Sequence, residues 1–200
     1  IDCYGRGRMA NASSRLDPRA LDRGQHDHAL QFYRDDAALI EMLARFVRQG
    51  LPSGQPLVLI ATAPHREALL RRLERDGIAA GAFGRPGALC MLDAHEIMAT
   101  FMVDGMPDTD KFNASIGGLI ARVQKASGSG SVRAFGEMVD VLWREGNAAA
   151  AIRLEMLWNS IAASHRFTLL CAYALDNFYS DTHGFDIGDV CHLHTHVLPA

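Results

Sequence analysis

The chain has 200 residues, 48% of them hydrophobic and 22% charged, with 20 Lys and Arg against 23 Asp and Glu for a formal net charge of -3. A chain of this length is read as one domain and buries roughly 70% of the surface its unfolded form exposes, so its core needs neither disulfides nor metal. The charge balance gives no electrostatic reason to expect nucleic acid, whose binding needs a basic face, and no apolar run approaches the roughly 18 residues that cross a bilayer.

The cysteines Cys3, Cys90, Cys171 and Cys191 form no C-x-x-C pair, which fits reduced thiols in a cytoplasmic protein. Arg6 and Arg8 are not followed by the apolar stretch of a secretory signal. Residues 1–25 are polar and without period and read as a flexible leader. The chain starts at Ile1, so Met9 is read as the natural start, with residues 1–8 as foreign sequence or the whole as a piece of a longer protein. Val197-Leu198-Pro199-Ala200 has no stop character and reads as a cut end. The domain is expected over residues 26–200.

His28-Ala29-Leu30-Gln31-Phe32-Tyr33 alternates and reads as the first strand. Asp35 or Asp36 caps a helix with Leu39, Ile40, Leu43, Phe46 and Val47 on its apolar face, ended by Gly50. The apolar run from Pro56 to Ala61 suits a strand buried on both faces. Thr62 is the expected cap of the next helix, with Pro64 in its first turn and a stop at Gly77. A third strand covers Ala88 to Leu92 and ends at Asp93, followed by helices over 95–102 and 108–125. After the link Ser127-Gly128-Ser129-Gly130 come a fourth strand over Ser131 to Phe135 and helices over 137–145 and 148–164. A fifth strand covers Phe167 to Tyr173, and the tail from Phe185 to Leu198 is expected to be helical. Alternating strands and helices predict an α/β fold, a mostly parallel central sheet with helices on both faces.

No G-x-x-x-x-G-K-[ST] loop occurs, no G-x-G-x-x-G follows a strand, and there is no G-x-S-x-G elbow. The turn after the first strand is Arg34-Asp35-Asp36, whose carboxylates would repel a triphosphate. Cys171 falls inside a strand and reads as core. In open α/β sheets ligands bind beyond the carboxyl ends of the strands. That rule selects Tyr33, Thr62, Asp93, Arg133, Glu137 and Tyr173 as candidate ligand contacts, together with His28 and Trp158. Glu137 also opens a helix, so capping competes with a ligand role. Trp143, Trp158, Phe32, Phe135 and Phe178 line a pocket or fill the core.

The nine histidines raise the question of metal. In Cys191-His192-Leu193-His194-Thr195-His196, a helix would pair His192 with His196 and Cys191 with His194, and His26 or His28 would close a zinc site. The competing reading is a solvated or interface helix, and no cofactor is expected.

His28 to Tyr33, Gly50-Leu51-Pro52-Ser53-Gly54-Gln55, Arg133-Ala134-Phe135-Gly136-Glu137-Met138-Val139, Leu154-Glu155-Met156-Leu157-Trp158-Asn159, Leu170-Cys171-Ala172-Tyr173 and Cys191 to Pro199 form one ordered set. The set resembles the MEDS domain, the methanogen/methylotroph sensory domain of DcmR-type regulators, over His26 to Pro199. The resemblance implies a signal-input domain, alone or joined to a histidine kinase, PAS or DNA-binding module, whose input in DcmR is a small halogenated hydrocarbon. The family is in turn similar to RecA/KaiC-type ATPase cores, from which this sequence departs by lacking the phosphate loop and its lysine. The expectation is therefore a binding module and not an enzyme, with a small-molecule ligand, an output kinase or regulator domain as partner, and a possible homodimer. A degenerate nucleotide-binding domain and a histidine-based metal sensor are the alternatives.

Overall fold

A computed structural model of the chain describes residues 27–52, 54–78, 89–179 and 185–198. The leader over 1–25, His26, Ser53, Ala88 and Pro199 lie outside the described residues. Six strands form one sheet: β1 (Asp27–Tyr33), β2 (Leu57–Ala61), β3 (Leu89–Asp93), β6 (Val132–Gly136), β7 (Phe167–Ala174) and β8 (His196–Leu198). Their order is β3-β2-β6-β7-β1-β8, and every pairing is parallel. The central strands are buried on both faces, which is why they read as unbroken apolar runs.

The pleat sends alternate side chains to two separate cores. One face, carrying Ala29, Tyr33, Leu57, Leu59, Phe135, Leu170 and Ala172, is covered by α1 (Asp36–Gly50) and α2 (Ala63–Arg75). The other, carrying Leu30, Phe32, Val58, Ile60, Ala134, Leu169, Cys171 and Tyr173, is covered by the later helices. These are α3 (Ala94–Ala99), α4 (Thr109–Phe112), α5 (Gly118–Ser127), α6 (Met138–Arg144), α7 (Ala148–Ala162) and α8 (Ile187–His192). Asp35 caps α1 by accepting the Ala38 N–H at 2.8 Å, and Gly50 ends that helix where a Cβ would meet Arg133 Cδ at 3.0 Å.

Three expected elements are corrected. The helix expected over 95–102 stops at Ala99, and Met102–Val103 (β4) pairs antiparallel with Met106–Pro107 (β5). The signal is Asp104-Gly105, whose φ values of 48° and 78° are those of a tight hairpin turn. The helix expected over 108–125 is α4 and α5 joined by a π-helical segment, Asn113–Gly117. The tail is not one helix: α8 ends at His192, and His196–Leu198 adds β8 to the edge of β1 opposite Ala29, Leu30 and Gln31. Thr195 steers that addition. Its N–H and hydroxyl donate to the His28 carbonyl at 2.8 and 2.9 Å, and its hydroxyl accepts the His28 N–H at 3.0 Å.

Candidate functional site

The carboxyl ends of the strands hold two polar clusters. Glu137, 1% exposed, follows β6 at the start of α6, but its side chain makes no cap bond there. Its carboxylate turns to the β2–α2 junction instead. Oε2 accepts the Thr62 N–H at 2.9 Å, the Thr62 hydroxyl lies 3.3 and 3.4 Å from the two oxygens, and His65 Nδ1 lies 2.7 Å from Oε1. His65 Nε2 reaches the exposed Asp36 at 3.3 Å. The hydrogen bond to Glu137 is the chief reason the His65 imidazole titrates above its ordinary range. Thr62 holds the cap position of α2 yet caps nothing, because its hydroxyl serves Glu137 and His65.

Tyr33 joins a different cluster. Its hydroxyl donates to Asp140 Oδ2 at 2.8 Å, while Oδ1 accepts the Ala174 N–H and the Asn177 side-chain amide, each at 2.7 Å. Arg144 contacts both Asp140 and the Tyr33 hydroxyl. Burial, then the Asp140 charge, pushes the Tyr33 phenol up. Asp93 caps α3 through the His95 and Glu96 N–H groups and pairs with Arg66 at 2.8 Å. Arg133 does not flank the carboxyl end of β6. It stands opposite Leu57 at the start of both strands, with its guanidinium 4.4 Å from the Phe46 ring centroid. At the β1–α1 turn the Asp35 carboxylate accepts the Ala38 N–H, one of the helix-start groups open to a bound phosphate, and adds a negative charge there.

A third cluster lies inside the opposite core. Glu155 of α7 is fully buried, and four groups converge on it. His28 Nε2 stands 3.1 Å from Oε2, and His194 Nε2 stands 3.4 Å from Oε1. The Tyr173 hydroxyl donates to Oε1 at 3.0 Å, and the Cys171 thiol lies 3.4 Å from Oε2. His28 Nε2 is also 3.3 Å from Cys171 Sγ, and the two imidazoles pack with centroids 4.1 Å apart. Burial alone raises the Glu155 carboxyl, but electrostatic attraction from His194, and from His28 beside it, more than offsets this and leaves it well below the usual carboxylate range. For His194 burial acts downward, yet Glu155 lifts it above its ordinary value. Burial and the Glu155 charge hold the Cys171 thiol protonated.

Among the described residues, one atom each from His28, Glu155, Cys171 and His194 lies within 4.8 Å of all the others, so these four are the candidate cation ligands. The metal reading from sequence therefore changes. His194 and His28 meet, but His192 ends α8, Cys191 is buried on it, and His196 lies in β8, 3.4 Å from Asp27. Glu155 and Cys171 went unread as ligands. The available signal was a glutamate inside the apolar stripe Ala151, Leu154, Trp158, and a cysteine on the same strand face as Tyr173.

Beside this cluster lies a cavity of about 280 Å³ lined by Asp27, His28, Trp158, Asn159, Ala162, Ala163, Phe167, Leu169 and Thr195. It opens at the amino ends of β1 and β7, so of the expected contacts it gathers His28 and Trp158. Asp27 Oδ2 is buried there without a hydrogen-bond partner. Tyr33 lines a separate cavity of about 460 Å³ with Gln31, Phe32, Arg34, Ala38, Glu41, Met42 and Arg45. Thr62, Asp93, Arg133, Glu137 and Tyr173 line neither cavity.

The all-parallel sheet with two helical layers is a wound α/β core of the RecA/KaiC kind. A KaiC-like protein from the hyperthermophilic archaeon Pyrococcus horikoshii OT3 is similar over 86% of this chain and 70% of its own, with a TM-score of 0.57 and 16% identity. The chain belongs to the MEDS family: the model described as "MEthanogen/methylotroph, DcmR Sensory domain" matches residues 27–195. No curated protein matches it significantly.

Proposed function

We propose that the chain is the signal-input domain of a bacterial or archaeal regulator, which binds a small, largely apolar molecule in the cavity beside Trp158 and passes its presence to an output kinase or transcription module. The observation that carries this reading is the cavity itself. Its Trp158, Ala162, Ala163, Phe167 and Leu169 walls suit an apolar guest, and its polar wall is Asp27, His28, Asn159 and Thr195. Of these, His28 and Thr195 are hydrogen-bonded to each other and join β1 to the α8–β8 tail. A guest that shifts either one biases the tail, a short edge element suited to relaying a two-state change.

Recognition without conversion is part of the proposal. The sequence has no phosphate loop, and the first helix presents a carboxylate where a nucleotide phosphate would bind. Membership of a sensory family supports the same reading. Among the described residues, no helix is long and apolar enough to cross a membrane. A cytoplasmic location and a homodimer belong to the same proposal. Calorimetry with dichloromethane as probe tests the cavity. Wild-type protein should bind it, and Ala162→Phe, which fills the space, should weaken binding by at least about tenfold, or 1.4 kcal/mol. Equal binding by the two proteins contradicts the assignment, and tight ATP binding would favour a degenerate nucleotide site.

A further inference from the structure

Hydrogen bonds around the buried cluster fix which nitrogen of each imidazole carries its proton. His194 Nδ1 lies 2.7 Å from the Val190 carbonyl, which only accepts, so Nδ1 is the donor. Asn159 Nδ2 donates to the Leu193 carbonyl at 2.8 Å, which leaves its Oδ1 to accept from His28 Nδ1 at 2.8 Å. In their neutral forms both histidines therefore turn an Nε2 lone pair inward. The His194 side chain is 0% exposed, and its Nε2 makes no hydrogen bond although Glu155 Oε1 is 3.4 Å away. Two imidazole lone pairs, a carboxylate and a sulfur thus face one another in the core, which is unfavourable unless a cation or shared protons lie among them.

We infer that His28, Glu155, Cys171 and His194 form a closed four-ligand site for one divalent cation of the zinc class. The donor set of two nitrogens, one oxygen and one sulfur is that of zinc proteins, and a tetrahedron with bonds of roughly 2.0–2.3 Å has edges of about 3.3–3.8 Å. The triangle of His28 Nε2, Cys171 Sγ and Glu155 Oε2, with sides of 3.1, 3.3 and 3.4 Å, already lies within a few tenths of those edges, while His194 Nε2 stands 3.4 Å from the other oxygen, Oε1, in a set whose ligand atoms all lie within 4.8 Å of one another. Each histidine gives its other ring N–H to a carbonyl oxygen, the outer-sphere arrangement typical of metal-bound imidazole. Tyr173, donating to Glu155, completes that outer sphere. Binding releases the Cys171 thiol proton, and the resulting thiolate and the Glu155 carboxylate together balance a 2+ charge. The ligands come from β1, α7, β7 and the α8–β8 turn, so the ion pins the tail to the sheet. The inference stands independently of the cavity's guest.

The test is elemental analysis and native mass spectrometry of reduced protein, followed by chelation and titration with Co²⁺. The expected result is one ion per chain and, with Co²⁺, a near-ultraviolet thiolate-to-cobalt charge-transfer band. Cys171→Ser should abolish the band. His194→Gln should weaken binding by more than the roughly 10–100-fold that losing an outer partner costs, and Asn159→Ala by about that amount. His192→Ala/His196→Ala should leave stoichiometry and band intact. Folded, reduced wild-type protein that takes up neither zinc nor cobalt stoichiometrically, and so holds its cluster by shared protons, overturns the inference. So does a band that survives Cys171→Ser. Because the wild-type spectrum decides by itself, a variant that fails to fold does not rescue the idea.

Discussion

Glu155 shows how one residue type can be placed where hydrophobic patterning forbids it. It occupies a core position of α7, 0% exposed, and is tolerated only because its partners come from three other segments. Removing it leaves those partners facing an empty space, so Glu155→Ala in metal-free protein should cost about 3–5 kcal/mol in urea denaturation. A loss under about 1 kcal/mol would mean that the cluster is solvated. The second residue-scale prediction concerns pH. His65 titrates above its ordinary range because Glu137, and beyond it Asp36, favour the imidazolium. A raised folded-state value stabilises fully below about pH 6.5, the unfolded value, and that stabilisation is lost as pH rises through the folded value. The difference in melting temperature between wild type and His65→Gln should therefore shrink as pH rises above about 6.5. A difference that grows with pH would reverse the assignment.

At the scale of elements, continuous apolar runs and helical stripes made the five long strands and the helices α1, α2 and α7 readable. Short elements were not readable in the same way. β8 has three residues and no period to detect; it exists because Thr195 exchanges hydrogen bonds with His28 at a distance of 167 residues in sequence. The β4–β5 hairpin carried a usable sign in Asp104-Gly105, but its strands of two residues each were absorbed into a neighbouring helical stripe. Helix α1 offers a clean test of local chemistry. Asp35→Ala removes the bond to the Ala38 N–H and should cost about 0.5–2 kcal/mol. It also frees the helix start, so appearance of nucleotide affinity in this variant would show that the carboxylate is what bars phosphate.

Across the whole molecule, Thr62, Glu137, Tyr33 and Asp93 lie at the carboxyl edge of the sheet, where they knit turns and helix starts together. The cavity beside Trp158 opens at the other end of the sheet, and a rule built on strand polarity has no way to find it. Nor does linear spacing bring Glu155, Cys171 and His194 together, since the tail must first return along β1. The fold was thus legible from periodicity, while the site was written in long-range packing.

The measurement that bears most directly on the input-domain reading is a nitrogen–proton correlation spectrum of the wild-type protein titrated with dichloromethane. The chain has two tryptophans, so two indole signals report on separate places. The expected result is saturable shifts of the Trp158 indole and of backbone amides in residues 194–198, with the Trp143 indole unmoved. A spectrum in which nothing shifts, or in which Trp143 responds and Trp158 does not, would contradict it.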